Sequence, residues 1–165
     1  RSSAGPWQAA LPAVATAVLT VVLGARDAWH PALTSLTIAA AVALMPSIDL
    51  YVAGGRIRRL THAAVGEWAV DALNGFVVDV AFLGTNGLCV RHGLTTPDQA
   101  EAGAKQAMVR SARRSVALAD SSKVGIDHLC RFADLADLAA VVTDSGLDSD
   151  TAAEIEACGP EVIRA

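Results

Sequence analysis

The sequence predicts an α/β domain, with a mostly parallel sheet flanked by helices. Three observations carry that prediction. Strand-like and helix-like stretches alternate from about Ser35 onward. The chain has 165 residues, enough for one core that buries about 70% of its unfolded surface. It is 53% hydrophobic but only 4% aromatic, which describes a core packed with Ala, Val and Leu.

In chain order, residues 1–34 form an apolar segment without strand alternation, distinct from residues 35–165. Residues 9–25 are uncharged, yet they are fewer than the ~20 a spanning helix needs and contain Pro12, so burial is expected and no membrane crossing. Arg1 alone is too little for the basic start of a signal peptide. "SLTIAAAVALM" (35–45) reads as an Ala-rich helix stopped by Pro46. "IDLYVAGG" (48–55) reads as a strand ending in paired glycines. "RIRR" (56–59) places arginines at alternate positions of an edge strand, where Arg56, Arg58 and Arg59 are either a small basic patch able to anchor an anion or, more commonly, a solvated face. "VGEWAVDAL" (65–73) is a short helix closed by "NG", "VVDVAFLG" (77–84) the next strand, and "TNGLCVRHGLT" (85–95) a loop. A helix follows over about residues 97–114, with Thr96 as N-cap, Pro97 in its first turn and Gln99 completing a T-x-x-Q capping box. Ala100, Ala104, Ala107, Met108 and Ser111 form its sheet-facing stripe; Glu101 and Lys105 sit at the stripe's edge, spaced for an i, i+4 pair. The "ARR" at 112–114 suits the negative end of the helix dipole. Then come the strands "SVALAD" (115–120) and "LAAVVTD" (138–144), a helix over about 149–158, and a short strand near "EVIRA" (161–165).

Several function classes drop out. A formal charge of -4 leaves no electrostatic footprint for nucleic acid. Cys89, Cys130 and Cys158 lack CxxC spacing and read as reduced thiols of a cytoplasmic protein. His30, His62, His92 and His128 have no i, i+3 or i, i+4 relation to one another, so no metal centre is expected. Dinucleotide and Walker fingerprints are absent. Ser121, Ser122, His128 and Asp144 lack a nucleophile elbow, so no catalytic residue is assigned and no cofactor is implied.

In open parallel sheets ligands bind beyond the carboxyl ends of the strands. Those ends read "AGG" (53–55), "LGTNG" (83–87), "ADSSK" (119–123) and "VTDSG" (142–146), small and polar residues suited to a hydrogen-bonding rim. Gly54 and Gly55 allow close approach of a ligand or an ordinary turn. Asn86-Gly87 is a turn signal. Lys123, directly after Asp120, Ser121 and Ser122, can meet a phosphate as a point charge, and so can Lys105. The alternative is pairing within the chain, Lys123 with Asp120 and Lys105 with Glu101.

Six stretches in order, "IDLYVAGGRIRR", "HAAVGEWA", "VDVAFLGTNGL", "HGLTTPDQAEAGAKQAMVRSARR", "VALADSSKVG" and "LAAVVTDSGL", make residues 35–165 resemble the C-terminal sensor domain of DeoR-type bacterial transcriptional regulators. The resemblance implies a fold of the ribose-5-phosphate isomerase, glucosamine-6-phosphate deaminase and CoA-transferase type. It also implies a repressor of carbohydrate metabolism, a homo-oligomer in the cytoplasm, that senses a phosphorylated sugar and is not an enzyme. The matched positions would surround the effector: Gly54, Gly55, Gly84, Thr85, Asn86, Gly87, Thr95, Thr96, Glu101, Lys105, Asp120, Ser122 and Lys123. Residues 1–34 supply neither the family's helix-turn-helix nor its Asp-x-Gly-Thr-Thr loop, so operator DNA would be reached only through a module this chain lacks. Two other readings stay open: a sugar-phosphate isomerase or deaminase of the same fold, with Glu101 or Asp120 as base, and an oligomerisation remnant that binds nothing.

Overall fold

The computed structural model describes Leu44, residues 49–61 and residues 63–165. The apolar segment 1–34 and, apart from Leu44, the helix expected over 35–45 lie outside the described residues. In chain order the described elements are β1 (Arg56–Ile57), β2 (Ala64–Val65), α1 (Glu67–Asn74), β3 (Val78–Gly84), β4 (Gly87–Cys89), β5 (Gly93–Thr96) and α2 (Gln99–Ser111). There follow β6 (Ala112–Leu118), a 3-10 turn (Ser121–Lys123), β7 (Cys130–Ala133), β8 (Ala140–Thr143), α3 (Ser149–Glu156) and β9 (Glu161–Arg164).

Four strands form the parallel sheet in the order β3-β6-β8-β9. Its core is aliphatic, as the composition predicts: Leu83, Ala117 and Val141 from the strands pack with Ala107 and Met108 of α2 and Ile155 of α3. The register decides where loops leave. Gly84 lies opposite Leu118, and Leu118 opposite Val142, so the chain departs from β3, β6 and β8 at one common rim.

A second, antiparallel sheet, β4-β5-β7, corrects the expectation of a loop over 85–95. Asn86-Gly87 is not the turn; the turn is Val90–His92, and Gly93 closes it at φ 67°. Gly87 belongs to a strand and needs its missing Cβ, because an added one would stand 2.3 Å from the Ile126 carbonyl oxygen. Glycine marked close approach here, while its composition suggested a bend.

Other boundaries move for reasons of tertiary pairing. Residues 49–55 carry no strand among the described residues, and pairing starts only at Arg56. Strand propensity in "LYV" reports fit to a sheet surface and supplies no neighbour to pair with. Helix α2 ends at Ser111 and the chain enters β6 at once, because Ala112 and Arg114 are drawn into register with Val78 and Val80 of β3. The "ARR" therefore lies in a strand, where Arg113 pairs with Asp79 of β3, and the helix-dipole account of it fails. The N-cap is Asp98, whose carboxylate accepts the Glu101 N–H at 2.9 Å, so the expected Thr96 box does not form.

Candidate functional site

Capping by Asp98 sets the rotation of α2, and that rotation carries two ionisable side chains inward. Glu101 and Lys105 are each only 2% exposed. They were expected at the edge of the buried stripe. Instead they lie within it beside Ala104 and Met108, while Ala100 and Ser111 are only partly covered. The helix is covered on several sides, by α1, β2, β3 and β7, so its buried arc is wider than one sheet contact requires.

The Glu101 carboxylate has three polar contacts among the described residues. Its Oε1 accepts the Thr61 hydroxyl at 2.5 Å and faces Arg58 Nη1 at 3.2 Å, and its Oε2 accepts the Thr96 hydroxyl at 3.1 Å. Arg58 also reaches Asp98 at 3.3 Å, so the second arginine of "RIRR" is a largely buried ion-pair partner and no solvated residue. Thr96 stands 2.9 Å from Asn86 Oδ1 as well, tying the β3–β4 connection to the same cluster. Two hydroxyls and a guanidinium thus hold the Glu101 carboxylate in place.

Lys105 is the opposite case. Its Nζ lies 5.0 Å above the ring of Phe132 on β7, and no salt bridge joins it to a carboxylate among the described residues. The expected Lys105–Glu101 pair does not close. Burial lowers the lysine's pKa to about 8 from an ordinary 10.5; the Glu101 charge acts upward against this, and Arg58 reinforces the lowering. A buried ammonium is costly to desolvate, and an anion or a hydrogen-bond acceptor beside it lowers that cost.

Lys123 behaves differently. It pairs at 3.9 Å with Asp120, as the intrachain alternative expects, and Ser122 gives its hydroxyl to the same carboxylate. Ser121 is consumed too: its N–H and hydroxyl go to Asp144 at 2.7 and 2.8 Å, and Gly146 N–H adds a third bond. These bonds, led by the Ser121 N–H, hold the Asp144 carboxyl below the usual range. The rim at "ADSSK" thus has fewer free donors than its residues suggest.

The remaining expected residues divide by role. Thr85 and Thr95 are buried braces: the Thr85 hydroxyl is placed 2.7 Å from the Gly87 carbonyl, and Thr95 Oγ1 accepts the His128 N–H at 3.1 Å. Gly55 allows close packing of its own backbone on Val65 and Ala69, whereas Gly54 faces open space. Gly84 ends β3 at the common rim. The 3-10 turn is joined to β4 by the Gly125 N–H, which donates to Leu88 O at 2.8 Å.

A cleft of about 630 Å³ opens beside that turn, lined by Ser121, Ser122, Gly146, Asp148, Arg91 and Asp127 among others. Of the residues expected around an effector, only Ser122 lines it. The predicted rim therefore separates into a buried polar nest around Lys105 and an open cleft beside Ser121–Gly125.

Sequence reasoning missed Thr61, Asp98 and Phe132, which build the nest with Arg58, and Thr143, whose buried hydroxyl has no partner among the described residues. It also missed a trio at the mouth of the cleft. Cys89 Sγ–H donates to Asp127 Oδ1 at 2.7 Å, His92 Nδ1 lies 2.9 Å from Asp127 Oδ2, and the His92 N–H donates to Cys89 Sγ at 3.2 Å. Burial and then Asp127 push the thiol's pKa up, while the Cys89 and His92 bonds hold the Asp127 carboxyl down. The Cys-x-x-His spacing of "CVRH" is the signal legible in the sequence.

No helix among the described residues is long and apolar enough to cross a membrane. The model of the DeoR C terminal sensor domain matches residues 31–145. The chain is 41% identical over 115 residues to the HTH-type transcriptional regulator GlpR of Haloferax volcanii, covering 70% of this chain and 45% of that protein. It is 37% identical over 98 residues to the uncharacterized HTH-type transcriptional regulator FruR of Bacillus subtilis, with 59% and 39% covered. A putative aga operon transcriptional repressor of Escherichia coli is 27% identical over 128 residues, with 78% and 48% covered. The chain spans about half the length, or somewhat less, of the curated relatives it matches. A parallel sheet flanked by helices, a family model matched through most of the chain and relatives named as transcriptional regulators agree: the chain belongs to the DeoR C-terminal sensor domain family.

Proposed function

We propose that this chain is the effector-sensing part of a cytoplasmic DeoR-type repressor of carbohydrate metabolism, and that its effector is a phosphorylated sugar. The observation that carries the reading is the Lys105 ammonium, 2% exposed, set over Phe132 and in no salt bridge among the described residues. A phosphoryl oxygen is a suitable missing partner: it is anionic, accepts several hydrogen bonds and meets lysine as a point charge. Thr96 bonds Glu101, one helical turn before Lys105, and stands beside Asn86, while Lys123 sits in the loop that leaves the neighbouring strand. Glu101 is held by Arg58 and two hydroxyls, so its position suits sugar-hydroxyl recognition or support of Lys105 and not proton transfer.

In this reading the domain works as a homo-oligomer, and operator DNA is reached through a helix-turn-helix domain of the kind its relatives' names mention. Effector binding shifts the loops at the rim between two arrangements, and affinity for DNA follows through differential binding of those states.

The test is thermal and chemical unfolding against a panel of phosphorylated sugars and their unphosphorylated parents. A true effector at a hundredfold excess over its dissociation constant adds about 2.7 kcal/mol of stability by mass action. Lys105→Met should lose that gain while remaining folded. A panel without any phosphate-dependent shift, or a shift that survives in Lys105→Met, would overturn the reading.

A further inference from the structure

The Cys89, His92 and Asp127 trio lies apart from the Lys105 nest and is not used by the sensing function proposed above. A thiol, an imidazole nitrogen and a carboxylate oxygen, one donor atom from each, all lie within 4.8 Å of one another. We propose that these three residues form a binding site for a divalent transition-metal ion of the Zn(II) class, with a further coordination position open to the adjoining cleft.

The donor set suits that ion. Sulfur, nitrogen and oxygen donors together favour borderline ions over Mg(II) or Ca(II), which take oxygen alone. Cys89 ends β4 and His92 precedes β5, so the tight Val90–His92 turn of the hairpin presents the pair as a chelate. Asp127 arrives from the loop that the Leu88–Val124 bridge and the Gly125 N–H bond join to β4. The backbone supplies the support that metal thiolates use, since the His92 N–H already points at Cys89 Sγ from 3.2 Å.

Distances also fit with little movement. In a tetrahedral site with ordinary bond lengths, neighbouring donors stand about 3.4–3.6 Å apart. Here Sγ and Oδ1 are 2.7 Å apart, and Nδ1 and Oδ2 2.9 Å. Opening the trio by less than about 1 Å admits the ion. The His92 and Asp127 side chains, 46% and 47% exposed, are free to turn that far. Arg91, between the two hairpin ligands, is a positive charge that opposes a cation there, and it is exposed. Cys89 and Asp127 both line the cleft, so the open position faces a space where water or an oxygen ligand can complete the shell.

The experiment is titration of the reduced full chain with Co(II), followed by displacement with Zn(II) in competition with a chromophoric chelator. One equivalent of Co(II) should produce a thiolate-to-metal charge-transfer band that Zn(II) abolishes. Cys89→Ser should remove the band and weaken Zn(II) binding at least about a hundredfold, more than loss of a supporting residue does. Asp127→Asn should weaken it and leave the band, and Cys158→Ser should change neither. Circular dichroism should show each variant folded, as expected for side chains at the surface. Absence of a one-to-one complex, or a band that persists in Cys89→Ser and vanishes in Cys158→Ser, would overturn the site.

Discussion

Lys105 holds a charge where water cannot follow, and its protonation should be visible in stability. Its pKa is about 8 in the folded chain against 10.5 when exposed, so between those values the unfolded state binds more protons. Stability should therefore rise with pH across that window, and below it the full penalty, on the order of 3 kcal/mol, is present. Lys105→Met removes the group, so its stability relative to the parent should be greatest near neutral pH and shrink toward about pH 10, measured by urea unfolding. A difference that does not change with pH would count against the buried ammonium. Glu101→Gln tests the neighbouring group: losing the carboxylate leaves Arg58 with Asp98 as its remaining carboxylate partner among the described residues and should cost about 1–3 kcal/mol.

At the scale of elements, the start of α2 and the β4–β5 hairpin hold the nest in place. Asp98 both caps the helix and pairs with Arg58, so Asp98→Ala should lower stability by about 1–2 kcal/mol, with Asp98→Asn costing less because the cap survives. The hairpin depends on Gly93. Its φ of 67° disfavours a side chain, and an added Cβ would lie 2.2 Å from the Ala133 carbonyl oxygen across the β5–β7 pairing. Gly93→Ala should cost at least about 2 kcal/mol in denaturant unfolding, since the clash is with backbone and cannot be relieved by a rotamer change. Equal midpoints for parent and variant would mean that the hairpin is not closed as described.

Across the whole molecule, one rim gathers loops from three parallel strands, because the register aligns the ends of β3, β6 and β8. Binding there should tighten loops that are distant in sequence. Hydrogen exchange with a saturating phosphorylated sugar should slow at Gly84–Gly87, at the first turns of α2 and at Ser121–Gly125. The amides of α3 beyond its first turn should keep their rates. Protection confined to one of these segments, or spread evenly over the chain, would argue against a shared seat.

Local chemistry in the sequence was enough for the class of fold. Alternating apolar runs and turn residues marked β3, β6, β8, β9 and the three helices, because each buries a face whose period survives in one dimension. The small polar strand ends, Lys105 and Lys123 were visible for the same reason. Tertiary structure alone decided the rest. Whether "TNGLCVRHGLT" is a loop or two strands depends on β7 lying beside it. Whether Glu101 and Lys105 meet each other or diverge depends on Arg58, forty-three residues before Glu101 in the chain, claiming the carboxylate first. Charge partners and strand neighbours are chosen through space by whichever group arrives with the better geometry. A sequence records the candidates for each such contact, and only the fold brings one of them within reach.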